Sequence, residues 1–547
     1  MHSWPFLITI VPFVPFVQGA ALWRAPGAST FAGSTTTFAF PPANVTATLP
    51  DPNFPVASAV GFAGPTPTGD EAEAIATAPA YARVDSAYPL IQPDTSDHKK
   101  SSFNVFHSWG NLAPWYSVDS SEFGLPGASP LIPKGCAINQ VYLLHRHGAR
   151  YPTAGAAPSA FATKLHSAAT GGGFSASGPL AFLNDWTYKM GAEILSPFGR
   201  EQLYELGVGF RVNYGDLLKG FSDLPVFRST SEERMVDSSL NFAAGFFGVQ
   251  DYTTSYHQLF EIEQKGYNST LQGANVCPNA GGFGGSKSAI WSDIYTKPII
   301  KRLSPFIKGV NLTGSDIIGM QQACAYETNA LGSSVFCGLF TEEEWKHYEY
   351  FNGDQFLLQG PGNPTSAARG IGWVQELVSR LTQTRITEFN TAVNETIVSS
   401  PVFFPLNQPI YVDATHDNSM ANIVTALNLT SLRANGPLPT DHIPKHQTWF
   451  SSRIAPFASN LVGQVLSCPA AAKPTHIRFV LNDGVVPLTG IKGCKADRNG
   501  LCELSSFISG MKARIAEVDF QFDCYANYTV PDPDNITDGR FPPTLRK

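Results

Sequence analysis

Apolar residues along this 547-residue chain gather into short runs that stop abruptly at ionisable residues. The run Val141-Tyr-Leu-Leu144 reads as a buried strand, broken by polar residues, Gly148 and Pro152. Residues 224–230 read as a short strand ending in Arg228, and residues 409–414 as one that ends at Thr415-His416-Asp417-Asn418. A last strand, 477–481, precedes the turn signal Asn482-Asp483-Gly484. Helical spacing predicts one helix around 160–167 and another through Leu203, Leu206 and Phe210, with Ser196 as its cap. Between about 237 and 385, mixed helices with few strands predict a helical cap inserted into the sheet domain. Within it, Thr341-Glu-Glu-Glu344 predicts a helix start whose acids complement the dipole. The pattern as a whole predicts an α/β protein with chemistry at strand ends, where ligands bind open sheets.

The first of these ends is the most informative. Arg146, His147 and Arg150 crowd two guanidiniums around one imidazole, and such a cluster repels itself unless an anion sits within it. Phosphate suits the place, and an imidazole facing it can act as a nucleophile. Two plainer readings stand beside this one: a structural histidine at a strand end, and His145-x-His147 as a metal pair on one strand face.

Composition narrows the class. With 43% hydrophobic and 15% charged residues the chain can build a large core, and its net charge of -7 argues against general nucleic-acid binding. Residues 1–19 read as a secretory signal: the apolar stretch 6–17 is short for a bilayer span and is broken by Pro12 and Pro15. No later apolar run is long enough to span a membrane, so the mature chain is expected to be secreted and free of membrane. Residues 20–98 are rich in Ala, Pro, Thr, Ser and Gly and predict a disordered arm, with the folded domain from 99 to 547. Sequons at Asn44, Asn268, Asn311, Asn394, Asn428, Asn527 and Asn535 are candidate glycosylation sites. Eight dispersed cysteines without a CxxC pair fit disulfides in an oxidising compartment.

Arg146-His-Gly-Ala-Arg-Tyr-Pro-Thr153, followed much later by His416-Asp417, resembles the histidine acid phosphatases, and among them the secreted fungal phytases. The similarity runs from about Phe103 to Cys524 and includes Phe106-His-Ser-Trp-Gly110, Ser196-Pro-Phe-Gly199 and Cys337-Gly-Leu-Phe-Thr341. It implies a phosphoglycerate mutase-like sandwich, with a central mostly parallel sheet and an inserted helical cap. It also implies His147 as a nucleophile that becomes phosphohistidine, Arg146, Arg150, Arg228 and His416 as a phosphate clamp, and Asp417 as proton donor to the leaving alcohol. Neither cofactor nor metal is implied. The implied disulfides are Cys136–Cys468, Cys277–Cys524, Cys324–Cys337 and Cys494–Cys502. Phytate is the first substrate expected and a broad range of phosphomonoesters the second. The rivals are an inactive relative that binds phosphorylated ligands and a metal-dependent hydrolase. Ala154-Gly-Ala-Ala157 stands where some of these phytases carry lysines, which leaves Lys164 as the nearest extra cation.

Overall fold

Four parallel strands form the heart of one sheet. β1 (Ala137–Arg146), β2 (Val226–Thr230), β3 (His257–Glu261) and β4 (Ile410–Thr415) lie side by side in the order β1-β4-β2-β3. Beyond β1 the sheet continues antiparallel through β5 (Asn460–Ser467), β6 (His476–Leu481), and β7 (Gly484–Val486) and β8 (Cys502–Glu503), both paired with β6. The computed structural model describes residues 32–33, 83–85, 87–97, 103–281, 285–434, 436–469, 473–530 and 534–546. The expected signal, most of the arm and the Asn44 sequon therefore lie outside the described residues. Among the described residues no helix is long and apolar enough to cross a membrane.

The longer helices are α1 (Ala157–Thr170), α2 (Pro197–Tyr214), α3 (Glu233–Phe247), α4 (Gly285–Leu303), α5 (Gly314–Leu331), α6 (Glu342–Leu357), α7 (Ser366–Thr382), α8 (Asp417–Ala426) and α9 (Leu504–Glu517). Successive side chains of a strand point to opposite faces, and β1 uses both. Val141 and Leu143 pack with Leu203 and Phe210 of α2 and Phe242 and Phe246 of α3. Tyr142 and Leu144 belong to the cluster that holds Ile371 and Val374 of α7, Ile423 of α8 and Phe507 of α9. The sheet is thus sandwiched between helices, as the resemblance implies. The two helix starts read from the sequence have local causes: the Ser196 hydroxyl accepts the Gly199 N–H at 3.1 Å, and Thr341 and Glu344 exchange side-chain and backbone hydrogen bonds ahead of α6.

The helical cap differs from its expected bounds. α4, α5 and α6 pack together, and α1, which lies outside 237–385, packs on α5. Conversely β3, α7 and most of α3 fall within 237–385 yet belong to the sheet core. The arm boundary shifts as well. The Val84 and Ser117 backbones and the Ser117 hydroxyl are paired at 2.8 and 2.9 Å, and the Ile91 N–H donates to the Gly332 carbonyl at 2.8 Å, so the chain docks on the domain before residue 99. Backbone pairing of this kind leaves no trace in composition.

The four disulfides pair as the resemblance implies. Cys136–Cys468 ties the start of β1 to the chain beyond β5 across 332 residues, a closure that restrains the unfolded chain by roughly 5 kcal/mol. Of the described sequons, Asn268, Asn311, Asn527 and Asn535 are exposed. Asn428 is half-buried, and its amide donates to the Gly490 carbonyl at 2.6 Å.

Candidate active site

The parallel strands deliver their carboxyl ends to one edge of the sheet. Arg146 at the end of β1 stands beside Thr415 at the end of β4, so His147 and His416 leave the sheet together. Their rings lie edge to face with centroids 5.6 Å apart. His416 caps α8 through its backbone and Asp417 opens that helix. Gly148 is held where only glycine fits: a Cβ there would lie 2.1 Å from the Gly199 carbonyl oxygen. The Ser196-Pro-Phe-Gly199 turn is thereby pressed against the Arg-His-Gly motif, and the Ser196 N–H donates to the Ala149 carbonyl at 2.9 Å.

His147 is buried, and its Nδ1 lies 2.8 Å from the Gly148 carbonyl. A carbonyl can only accept, so Nδ1 carries the proton and Nε2 keeps its lone pair. Burial, then Arg146, Arg150, His416 and Arg234, hold the imidazole pKa well below its ordinary value. Arg146 is fully buried: it donates to the Ala455 carbonyl at 2.8 Å and to the Asn111 carbonyl, and it lies 4.5 Å above the Phe457 ring. A further guanidinium nitrogen of Arg146 stands 2.8 Å from Asp417. Arg150 donates to the Tyr151 carbonyl at 2.8 Å.

Asp417 also accepts from the Asn111 amide at 2.8 Å. Burial raises its pKa, but Arg146, the Asn111 hydrogen bond, Arg150 and His416 outweigh burial and bring the carboxyl down to about 2. His416 Nε2 sits 2.7 Å from Glu263, whose own carboxyl is pushed up by burial and brought down to about 2 chiefly by His416.

Arg228 is the one expected clamp residue that the fold directs elsewhere. β2 runs on to Thr230, two residues beyond the predicted end, which sinks Arg228 into the sheet opposite Asp413. There its guanidinium meets Asp413 at 2.8 Å, Glu376 at 2.7 Å and Glu261 at 3.1 Å, all buried. Arg234, on the first turn of α3, acts with Arg150 on both His147 and Arg146. It is held at the site's mouth by Glu193 at 3.1 Å and by Glu232. Lys164 is also committed elsewhere, to Asp316 and to the Asn311 carbonyl. His145 stacks on Phe242 in the core, its ring centroid 5.3 Å away, rather than joining His147.

Sequence reasoning read Arg234 only as a partner for a carboxylate, and missed Asn111, Glu193, Glu232 and Glu263. Asn111 follows the Phe106–Gly110 stretch directly, a proximity that could have drawn attention to it. The assembled site presents a neutral imidazole with a free nitrogen, three guanidiniums, a second imidazole and one carboxyl group. This set can receive a tetrahedral anion, form a bond to its central atom, and supply a proton on the far side.

Residues 137–482 match the family described as the histidine phosphatase superfamily (branch 2). The chain is 33% identical over 423 residues to Phytase A of Aspergillus fumigatus, an alignment that covers 74% of this chain and 88% of that one. With Phytase A of Arthroderma benhamiae the identity is 34% over 422 residues, covering 74% and 89%. Among solved structures, the phytase from D. castellii superposes with a TM-score of 0.62 at 23% identity, over 82% of this chain and 94% of that one. A multiple inositol polyphosphate phosphatase from Bifidobacterium longum, in complex with inositol hexasulfate, gives a TM-score of 0.51 at 12% identity, over 74% and 97%. At these identities both structures speak to the fold alone.

Proposed function

Because the chain belongs to branch 2 of the histidine phosphatase superfamily, and is a phosphoric monoester hydrolase, we propose that it hydrolyses phytate through a phosphohistidine at His147. Relatives that carry the name Phytase A support the substrate. The observation that carries the mechanism is the 2.8 Å approach of His147 Nδ1 to the Gly148 carbonyl, which assigns the proton to Nδ1 and leaves Nε2 free among cations.

Arg146, Arg150 and Arg234 pair with the oxygens of the phosphate being transferred, together with His416. In this reading Arg234 takes the part that the sequence suggested for Arg228. His147 Nε2 attacks phosphorus while the bond to the ester oxygen breaks, and Asp417 gives its proton to the departing alcohol. Water then attacks the phosphohistidine, returns a proton to Asp417 and releases inorganic phosphate. The arginines stabilise the charge of both transition states. Asp417 is ionised in the free enzyme through most of the acid range, its pKa being about 2. Substrate phosphate draws the guanidiniums to itself and sets negative charge beside Asp417, and both changes raise the carboxyl pKa so that it holds the proton it must give. Burial and the arginines hold the His147 pKa well below its ordinary value, which favours the neutral, nucleophilic imidazole in acid. The apolar leader, the sequons and the four disulfides support a secreted enzyme.

The test compares turnover of phytate and of a simple aryl phosphate at acid pH, in the wild type and in His147→Ala. Phytate is expected to be the better substrate, and the variant to lose at least about a thousandfold in kcat. A strong preference for the aryl ester assigns a broad acid phosphatase instead. Full activity in His147→Ala overturns the mechanism.

A further inference from the structure

The mouth of the site carries more negative charge than a phosphate-binding pocket needs. Glu232 sits at the N-cap of α3 without capping it: its side chain makes no hydrogen bond to the helix backbone. Instead its carboxylate turns inward, although the side chain as a whole is 39% exposed. Oε2 meets the Arg234 guanidinium and lies 3.9 Å from His416 Nε2. Facing atoms of Glu232, Glu263 and His416 all fall within 4.8 Å of one another. Glu193 holds the other terminal nitrogen of Arg234 at 3.1 Å and is 40% exposed.

A carboxylate oxygen paired with the Arg234 guanidinium, 3.9 Å from the His416 imidazole, stands where an oxygen of an incoming phosphate would meet that guanidinium. Resting on the reading of Arg234 and His416 as phosphate-binding groups, we propose that Glu232 is a specificity-determining residue that stands in for a substrate oxygen in the free enzyme and penalises heavily phosphorylated esters. An incoming phosphate displaces it, and the half-exposed side chain has room to turn toward water. Once displaced, it remains a negative charge at the rim, beside Glu193. A monoester with one phosphate places that phosphate among the arginines and little charge near the rim. A substrate with several phosphates brings the others against the two carboxylates. The penalty therefore grows with the number of phosphates on the substrate. Glu263 differs from the other two: it is buried, and it is bound to His416 at 2.7 Å as that ring's partner.

The experiment measures kcat and KM for phytate and for an aryl phosphate, and the equilibrium affinity for inorganic phosphate. The proteins are the full-length wild type, Glu232→Gln, Glu232→Ala and Glu233→Gln. The last makes the same change in net charge one residue away. Both Glu232 variants are expected to lower KM for phytate about threefold to tenfold, lower KM for the aryl ester less, and tighten inorganic phosphate. Glu233→Gln is expected to change none of these by more than about twofold. Equal shifts in Glu233→Gln reduce the effect to net charge and overturn the assignment. A rise in KM, or a fall in kcat alone, makes Glu232 a support for Arg234 and overturns it too. Glu232 variants with unchanged constants, beside a wild type that turns over phytate, refute this inference alone, whereas a wild type that hydrolyses neither ester refutes the functional reading beneath it.

Discussion

Arg228 and Arg234 stand six residues apart on one strand-to-helix connection, and they have opposite fates. Arg228 is buried against three carboxylates that are themselves buried, and the Phe404 ring lies 5.4 Å from its guanidinium. Arg234 is held by two carboxylates that are each about two-fifths exposed. The first set has no room to exchange partners, and any anion entering would have to displace charges that cannot reach water. The second set can release its arginine at small cost, because displaced carboxylates are rehydrated. On the proposed reading of Arg234, what separates a structural guanidinium from a ligand-binding one is the solvent access of its partners, not its position at a strand end.

Removing each arginine should break the comparison in opposite ways. Arg228→Met leaves Glu261 and Glu376 without their cation, and breaking such a buried set costs on the order of 3–5 kcal/mol. Thermal unfolding should show a large drop in Tm, with KM for phytate little changed in whatever protein stays folded. Arg234→Met should keep its Tm within a few degrees yet lose about a hundredfold in kcat/KM, about 2.7 kcal/mol of transition-state stabilisation. An Arg234 variant with wild-type kcat/KM and a lowered Tm would reverse the assignment.

The same reasoning explains what was legible in the sequence. The Arg146–Thr153 stretch and His416-Asp417 could be read because each sits where an apolar strand meets ionisable residues, a local signal. Arg228 looked identical by that signal. Its fate depends on Asp413, Glu376 and Glu261, which the fold brings from 185, 148 and 33 residues away. β5 went unread for a related reason: Asn460, Gly463 and Gln464 interrupt its apolar pattern, although the whole strand is buried. Gln464 is satisfied there by the Arg478 guanidinium and the Tyr214 hydroxyl, at 2.7 Å each. Polar residues in a buried strand become visible only with their partners in view. Disulfide pairing likewise came through resemblance, since spacing alone leaves many connectivities open.

Carboxylates divide as the arginines do, which gives a prediction in pH. Burial pushes Glu349 up to about 7 despite hydrogen bonds from Ser452 and from the Gly110 N–H at 2.6 Å. An unfolded-state glutamate titrates near 4.3. A folded-state pKa raised above that value contributes stability that is complete below about 4 and is lost as pH rises through 7. Burial raises Glu261 and Asp523 to about 7 as well, so all three act in the same direction. Tm should therefore fall as pH is raised from about 4.5 to 7.5, and Glu349→Gln should flatten that slope by on the order of 2 kcal/mol across the interval. The depressed carboxyls of Asp417 and Glu263, at about 2, act oppositely: they withdraw stability only as pH falls from about 4 through 2. A wild-type Tm that climbs toward neutrality would contradict this picture.

The smallest expected effect tests the proposed proton donor, Asp417. Asn111 joins the two kinds of site: its neighbour Gly110 donates its N–H to buried Glu349, while its own amide donates to Asp417. That amide bond favours the ionised form of Asp417, so its loss in Asn111→Ala raises the carboxyl pKa. A general acid with a higher pKa keeps its proton to higher pH. The alkaline limb of the kcat profile, which reports the enzyme–substrate complex, should move upward by about half a pH unit to one unit. The Asn111 backbone carbonyl, which accepts from Arg146, is retained in this variant, so phosphate affinity should change little. An alkaline limb that stays in place while the whole profile sinks would mean that Asn111 fixes the position of Asp417 rather than its charge. A limb that moves downward would remove Asp417 from the role of proton donor.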